Sequence, residues 1–266
     1  MKPVLIDSID DPRVDVYRNL KKTNLTRSKD LFVVEGATLV RRLLDSRFTV
    51  DSILVTEARL EEFAPLIPDE ADIFVISRSL AAELIGFKFH LGVLAAARRE
   101  EPPDLAKVLL TVGNSLILFG DQIIDQQNVG MMVRIGSAFG ADAVVFGPGS
   151  ADPFSRRVMR VSMGNGLFMP VVQSTNVASS FETLRELGYQ IFATVLDEGA
   201  ETLSATSFSG RSVLVFGNES DGLSASTLAM TNRQLTIPML NGTDSVNVSI
   251  ATGIFSYSYR NQFPAE

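Results

Sequence analysis

Five stretches in the second half of the chain, Leu116–Phe119, Ala143–Phe146, Gln190–Leu196, Ser212–Phe216 and Gln234–Ile237, are rich in Val, Ile, Leu and Phe and show no polar alternation. A strand wetted on one face alternates; a strand covered on both faces does not. The stretches therefore predict an α/β fold with a largely parallel sheet and helices on both faces. The segments between them, at roughly 128–140, 154–163, 177–188 and 224–230, carry helical spacing. A final helix is expected over about Ser245–Asn261.

The first hundred residues read as a smaller α/β unit. Strands at Leu31–Val34, Ser52–Val55, Ile73–Val75 and Gly92–Ala97 are interleaved with helices near 12–22, 38–46, 57–66 and 79–86. The charged, proline-containing stretch REEPPDL that follows has the composition of a linker, so the division is drawn between residues 1–105 and 106–266.

Composition removes whole classes of chemistry. With no cysteine and a single histidine, His90, the chain has no disulfides, no thiolate metal site and no cysteine nucleophile. A zinc site lacks its ligand set, and a serine hydrolase would have one possible base. No metal is expected. The N-terminus MKPVLIDSIDDP lacks the apolar core of a signal peptide, and no run of about 18 apolar residues follows, so a cytoplasmic protein with no membrane partner is expected. The net charge of −7 weighs against a nucleic-acid partner, but residues 13–47 hold nine basic against four acidic residues. Such a run is either a solvated helix face or an RNA footprint.

Three segments put glycines and polar side chains after predicted strands, where ligands sit in open α/β sheets. In ILFGDQIIDQQNVGMMVRIGSAFG, residues 117–140, Asn128 is placed to cap a helix. Arg134 stands six residues later among apolar neighbours, either as a surface charge or as a binder of an anion. Gly136, Ala138 and Gly140 leave room for another backbone to approach. In VLVFGNESDGLS, residues 213–224, a strand ends at Gly217, Asp221-Gly222 makes a turn and Ser224 caps a helix. That is either a plain strand–turn–helix junction or one in which Gly217 lets a flat ligand lie against the main chain while Glu219 faces the same cleft. In LTIPMLNGTDSVNVSIATGIFSYSY, residues 235–259, Ser245, Asn247 and Ser249 alternate with valines ahead of an apolar helix, and such groups need partners when buried.

Singly these are weak signals; their order and combination are specific. Asn-x-Gly with a later Arg (Asn128, Gly130, Arg134), Gly-x-Glu-x-x-Gly-Leu (Gly217 to Leu223), and Ile-Pro-Met followed by Ser-x-Asn-Val-Ser (Ile237 to Met239, Ser245 to Ser249) resemble the three motifs of the SpoU class of SPOUT RNA methyltransferases, over about residues 115–262. In the first half, IDSIDDPRVDVYRNL, KDLFVVEGATLV and HLGVLAAARR resemble the substrate-binding domain that often precedes that catalytic domain, whose fold is similar to a kink-turn-binding ribosomal protein.

The resemblance implies a trefoil-knotted catalytic domain, S-adenosylmethionine as cofactor, and methyl transfer to a ribose 2′-hydroxyl of RNA. It favours ribosomal RNA of the 23S type over transfer RNA and implies a homodimer paired through the knotted region. By similarity, Thr194, Gly217, Ile237, Met239 and Val246 would hold the adenosyl group, while Asn128, Arg134, Glu219, Ser245 and Asn247 fall on the family's functional positions. The family proposal has the arginine activate the hydroxyl. A guanidinium with a pKa above about 12 is a poor base, so binding the neighbouring phosphate and the developing alkoxide is the sounder role for Arg134. Asn128 and Glu219 would orient Arg134 and the substrate; Ser245 and Asn247 would fix the active-site loop. Gln126, Ser220 and Val246 replace a usual proline, glycine and leucine, and none of these changes removes a polar group the chemistry needs.

Two other readings compete. A catalytically inactive rRNA-binding assembly protein would keep the basic first half and lose Arg134 or Asn247, and both are present. A nucleotide-dependent oxidoreductase would carry Gly-x-Gly-x-x-Gly at the first strand–helix turn of the second half, where DQQNVG stands. His90 lacks an evident partner and reads as a structural or RNA-contacting residue. Arg156, Arg157 and Arg160 are either a solvated face or a second phosphate contact.

Overall fold

The computed structural model describes residues 2–20, 30–109 and 113–264. Lys21, Lys22, Arg27 and Lys29 of the basic segment, and the end of the helix expected near 12–22, lie outside the described residues. The chain forms two compact units, residues 1–101 with 154–168 and residues 102–153 with 169–266.

Unit 1 is built on a sheet of β1 (Val4–Ile6), β2 (Leu31–Glu35), β3 (Val50–Thr56), β4 (Asp72–Ile76) and β5 (Val93–Arg98), in the order β1-β4-β3-β5-β2. The first three strands in that order run parallel; β5 is antiparallel to both its neighbours. Successive strand residues point to opposite faces. Phe32, Val34, Ile53 and Val55 accordingly join one core with α1 (Ala37–Leu44) and α2 (Glu57–Phe63), while Val33, Leu54, Phe74 and Ile76 join a second with α3 (Arg78–Ile85). Ser77 caps α3, and Gly86, at φ +81°, ends it.

In place of the expected basic helix, Pro12–Tyr17 is a short 3-10 turn. Val14 and Val16 are both buried two residues apart, a spacing that one face of an α-helix cannot satisfy. Tyr17 anchors the turn, donating its hydroxyl to the Ser52 carbonyl at 2.9 Å and accepting from the Ala96 N–H at 3.2 Å.

Unit 2 is a seven-stranded sheet, parallel throughout, in the order β10-β12-β9-β11-β6-β7-β8. β6 (Ser115–Gly120), α4 (Gln126–Ala138) and β7 (Ala143–Phe146) open it. The chain then supplies α5 (Arg156–Val161) to unit 1 before resuming with β8 (Val171–Gln173), α6 (Val177–Glu186), β9 (Gln190–Thr194) and β10 (Glu201–Thr202). β11 (Arg211–Phe216), α7 (Ala225–Ala229), β12 (Arg233–Thr236) and α8 (Val248–Gln262) complete it. All five predicted strands are present, and β8 and β10 are additional.

Both faces of this sheet are covered, as the unalternating strands predict. On one face Ile117, Phe119, Val145, Val213 and Val215 pack with Phe181 and Leu184 of α6. On the other, a Cβ on Gly136 of α4 would stand 2.7 Å from Val144 and 3.3 Å from Leu118, and the Phe216 ring meets Phe255 of α8 edge-on. Of Gly136, Ala138 and Gly140, only Gly136 meets the sheet in this way; Ala138 is exposed and Gly140 follows the helix end.

Candidate functional site

The carboxyl ends of β9, β11 and β12 border a cleft of about 250 Å³. From central β6 the chain builds outward through β7 and β8 on one side and adds β9, β10, β11 and β12 on the other. The order reverses between β6 and β11, so the cleft lies next to that point, and outside the carboxyl ends of strands is where ligands of open parallel sheets bind. Its apolar lining includes Phe216, Val248, Ala251 and Phe255; its polar lining is Thr194, Asn218, Glu219, Ser245 and Asn247. Thr194, Gly217, Ile237, Met239 and Val246, the positions expected to hold the adenosyl group, all line it.

Three of the expected functional side chains form one hydrogen-bonded chain. Asn128 Nδ2 donates to Glu219 Oε1 at 2.8 Å, and Asn247 Nδ2 donates to Asn128 Oδ1 at 3.1 Å. Asn247 Oδ1 in turn accepts from the N–H and hydroxyl of Ser249 at 2.8 and 2.6 Å. The direction of the chain is dictated by its ends: an ionised carboxylate only accepts, so the Asn128 amide must turn its nitrogen to Glu219 and its oxygen to Asn247.

Asn128 is not the helix cap that its position suggests. Asp125 caps α4, accepting from the Gln127 N–H at 2.8 Å, and Asn128 is buried in the first turn. The cap starts the helix cleanly at Gln126, where the family's proline would stand. Asn247 caps α8 and Ser224 caps α7.

Arg134 and Ser245 stand outside this chain. Arg134 is exposed on α4, does not line the cleft and makes no hydrogen bond or ion pair with a described residue. Ser245 lines the cleft but is exposed, so among the alternating polar residues only Ser249 is buried and fully engaged.

The need for glycine at 217 comes from its own loop. A Cβ there would lie 2.3 Å from the Gly222 carbonyl carbon. Asn218 and Gly222 exchange both main-chain hydrogen bonds at 3.0 Å, with Gly222 at φ +66°. Asn218, not anticipated as a site residue, holds this turn together. Its Oδ1 accepts from the Ser220 and Asp221 N–H groups at 2.8 and 3.2 Å, and its Nδ2 donates to the Gln122 carbonyl at 2.9 Å. The signal is present in the sequence, because Asn-Glu-Ser-Asp-Gly sets an Asx-turn former ahead of an Asp-Gly turn. Buried Asp121, also unanticipated, accepts from the Thr227 hydroxyl at 2.8 Å and ties the end of β6 to α7.

His90 is exposed and its side chain bonds to no described residue. Among the described residues no group of three His, Cys, Asp or Glu is placed to hold a metal ion, and no helix is long and apolar enough to cross a membrane.

The SpoU rRNA Methylase family model matches residues 115–257, which include every residue lining the cleft. An uncharacterized tRNA/rRNA methyltransferase of Mycobacterium tuberculosis is 37% identical over 93% of this chain and 88% of its own length. The 23S rRNA (guanosine(2553)-2′-O)-methyltransferase RlmP of Bacillus subtilis is 28% identical over 96% of this chain and 98% of its own. Among solved structures, the AdoMet-bound rRNA methyltransferase from Sinorhizobium meliloti superposes with a TM-score of 0.88 over 99% of both chains at 22% identity, a likeness of fold.

Proposed function

As the chain belongs to the SpoU rRNA methylase family, we propose that it transfers a methyl group from S-adenosylmethionine to a ribose 2′-hydroxyl of ribosomal RNA of the 23S type. The observation that carries this reading is the Asn128–Glu219–Asn247 chain beside the cleft, because it joins one residue from each of three motifs that are far apart in sequence. The B. subtilis relative, a 23S rRNA 2′-O-methyltransferase by name, supports the substrate class and extends over both units.

The cleft suits an adenosyl group: Ile237, Val246 and Met239 offer apolar contact to a flat ring, and the polar lining offers hydrogen bonds to a ribose and an amino-acid tail. When bound, S-adenosylmethionine supplies an electrophilic sulfonium methyl. The chain's own residues then have to hold the ribose oxygen in line and to stabilise the charge that develops on it. Arg134, a guanidinium paired with no described residue, is suited to bind the substrate phosphate and that developing alkoxide. Asn128, locked between Glu219 and Asn247, gives the site a fixed amide, and Ser245 a free hydroxyl on the active-site loop.

We read the segment after β12 as the threaded part of a trefoil knot, and the protein as a homodimer acting in the cytoplasm. The exposed Ile250, Ile254 and Tyr257 support the dimer, since they recur along one stripe of α8 while Phe255 and Tyr259 face the core. Light scattering of the protein and of Ile254→Glu checks it; a wild-type monomer with full activity would remove it.

Incubation with labelled cofactor and total RNA from cells lacking the protein tests the activity. Label mapped to a 2′-O-methylated nucleotide of 23S rRNA is the expected result, and label confined to transfer RNA would change the substrate. Cofactor binding with no transfer to either RNA would instead favour an inactive rRNA-binding assembly protein.

A further inference from the structure

Charge is divided unequally between the two units. Unit 1 carries 18 Lys and Arg against 17 Asp and Glu, and unit 2 carries 6 against 14. Apart from Arg134, the cations available to an RNA partner are therefore concentrated on unit 1, yet most described arginines of the basic segment are already matched. Arg18 meets Asp15 at 3.0 Å, Arg41 meets Glu62 at 2.8 Å, Arg47 meets Glu100 at 2.7 Å, and Arg13 meets Asp11.

Helix α5 departs from that pattern. It lies within the span matched by the family model but packs in unit 1, where Met159 joins the core. The segment 154–168 brings three arginines and no acid. Arg156, Arg157 and Arg160 are spaced to share one helix face and line a cavity of about 350 Å³. One carboxylate serves all three. Buried Glu35 pairs with Arg156 and lies 3.6 Å from Arg160, while Arg157 is exposed and pairs with no described residue. The Arg156 guanidinium also lies over the Phe87 ring at 4.4 Å, so this side chain is held by both Glu35 and Phe87. Two positive charges remain uncompensated on a rigid helix, a setting in which planar guanidinium groups bind phosphate oxygens in pairs.

We propose that Arg157 and Arg160, set on the fixed Arg156–Glu35 pair, form a binding site for the phosphate backbone of the RNA substrate, separate from the methyl-transfer cleft. The inference rests on the RNA methyltransferase reading for the identity of its ligand. Both arginines contact backbone, so they contribute affinity and register and leave sequence preference unchanged.

The test uses the full chain, deproteinised ribosomal RNA as probe, and Arg157→Ala, Arg160→Ala, Arg157→Lys and Arg78→Ala. Arg78 is an exposed arginine of the same unit with no described partner, and its loss changes net charge equally. Each α5 alanine variant should weaken RNA binding by about ten-fold and lower the slope of log affinity against log salt by about 1, with cofactor affinity unchanged in both and melting unchanged in Arg157→Ala, whose side chain pairs with no described residue. Arg157→Lys should keep most of the slope, and Arg78→Ala should keep all of it. Alanine variants that bind RNA with the wild-type slope, or no better and no worse than Arg78→Ala, overturn the proposal. The two readings fail separately. A wild type that methylates RNA with KM unaltered in the α5 variants sinks the phosphate site alone. A wild type that transfers no methyl group yet loses salt-dependent RNA binding in those variants sinks the catalytic reading alone.

Discussion

Asn128 and Asn247, 119 residues apart in sequence, meet through their side-chain amides at 3.1 Å. The contact is directional, because Glu219 accepts from the Asn128 amide nitrogen and the Asn128 oxygen is thereby turned to Asn247. Removing Asn128 leaves two polar side chains without their partner. Glu219 and Asn247 are exposed and can turn to water, so Asn128→Ala should cost about 0.5–1.5 kcal/mol in stability and lower kcat. Asn128→Asp keeps the shape but sets a carboxylate against Glu219, so it should fare no better than alanine near neutral pH. Denaturant midpoints and single-turnover methyl transfer check both; an active Asn128→Asp enzyme would show that the amide chain does not organise the site.

Arg134 presents the opposite case, since it is exposed and makes no hydrogen bond or ion pair with a described residue. Arg134→Ala should leave stability within about 0.5 kcal/mol of wild type. Cofactor affinity should also hold, while methyl transfer falls by about 10²–10³ if the guanidinium stabilises the developing alkoxide. Full transfer by Arg134→Ala at saturating RNA would assign the chemistry to other groups.

Gly217 is limited by its loop. Gly217→Ala places a methyl group 2.3 Å from the Gly222 carbonyl carbon and 2.5 Å from its oxygen, and backbone cannot turn aside as a side chain can. The loop must open, at a cost of about 1–3 kcal/mol. Asn218, Glu219 and Gly222 move with it, so weaker binding of S-adenosylmethionine is expected by calorimetry. Wild-type affinity would mean that the loop does not shape the cofactor cleft.

What could be read from the sequence divides along physical lines. The strands of unit 2 were legible because covering both faces of a sheet leaves its mark in the strand itself, whereas β8 and β10, three and two residues long, are too short to carry a pattern. The choice between Asp125 and Asn128 as helix cap was not legible, since both are good caps three residues apart and burial decides between them. Local charge left two readings open for a related reason. Composition adds charges along the chain, but Arg47 is matched by Glu100, 53 residues away, and that pairing exists only in the fold. The meeting of Asn128, Glu219 and Asn247 lay between these cases: the motifs named the residues, and the order of parallel strands brought them together.

Burial of two phenols makes stability depend on alkaline pH. Tyr17 in unit 1 and Tyr259 in unit 2 are buried, and desolvation raises both above the ordinary value of about 10, Tyr259 to about 12 and Tyr17 further. The Tyr259 hydroxyl donates to the Gly210 carbonyl and that of Tyr17 to Ser52, bonds that only the protonated phenol can make. A folded pKa above the unfolded one means that the folded chain holds its proton more tightly. The contribution is therefore complete below about pH 10 and is lost as pH rises through the folded values. Stability should be insensitive to these groups near neutrality and should fall steeply above about pH 10. Tyr259→Phe should lose about 1 kcal/mol at neutral pH with its hydrogen bond, and should lose less than wild type between neutral pH and about pH 12. Denaturant midpoints at stepped pH, read beside tyrosinate absorbance, measure both effects. An unchanged alkaline slope in Tyr259→Phe would mean that this phenol titrates as it does in the unfolded chain.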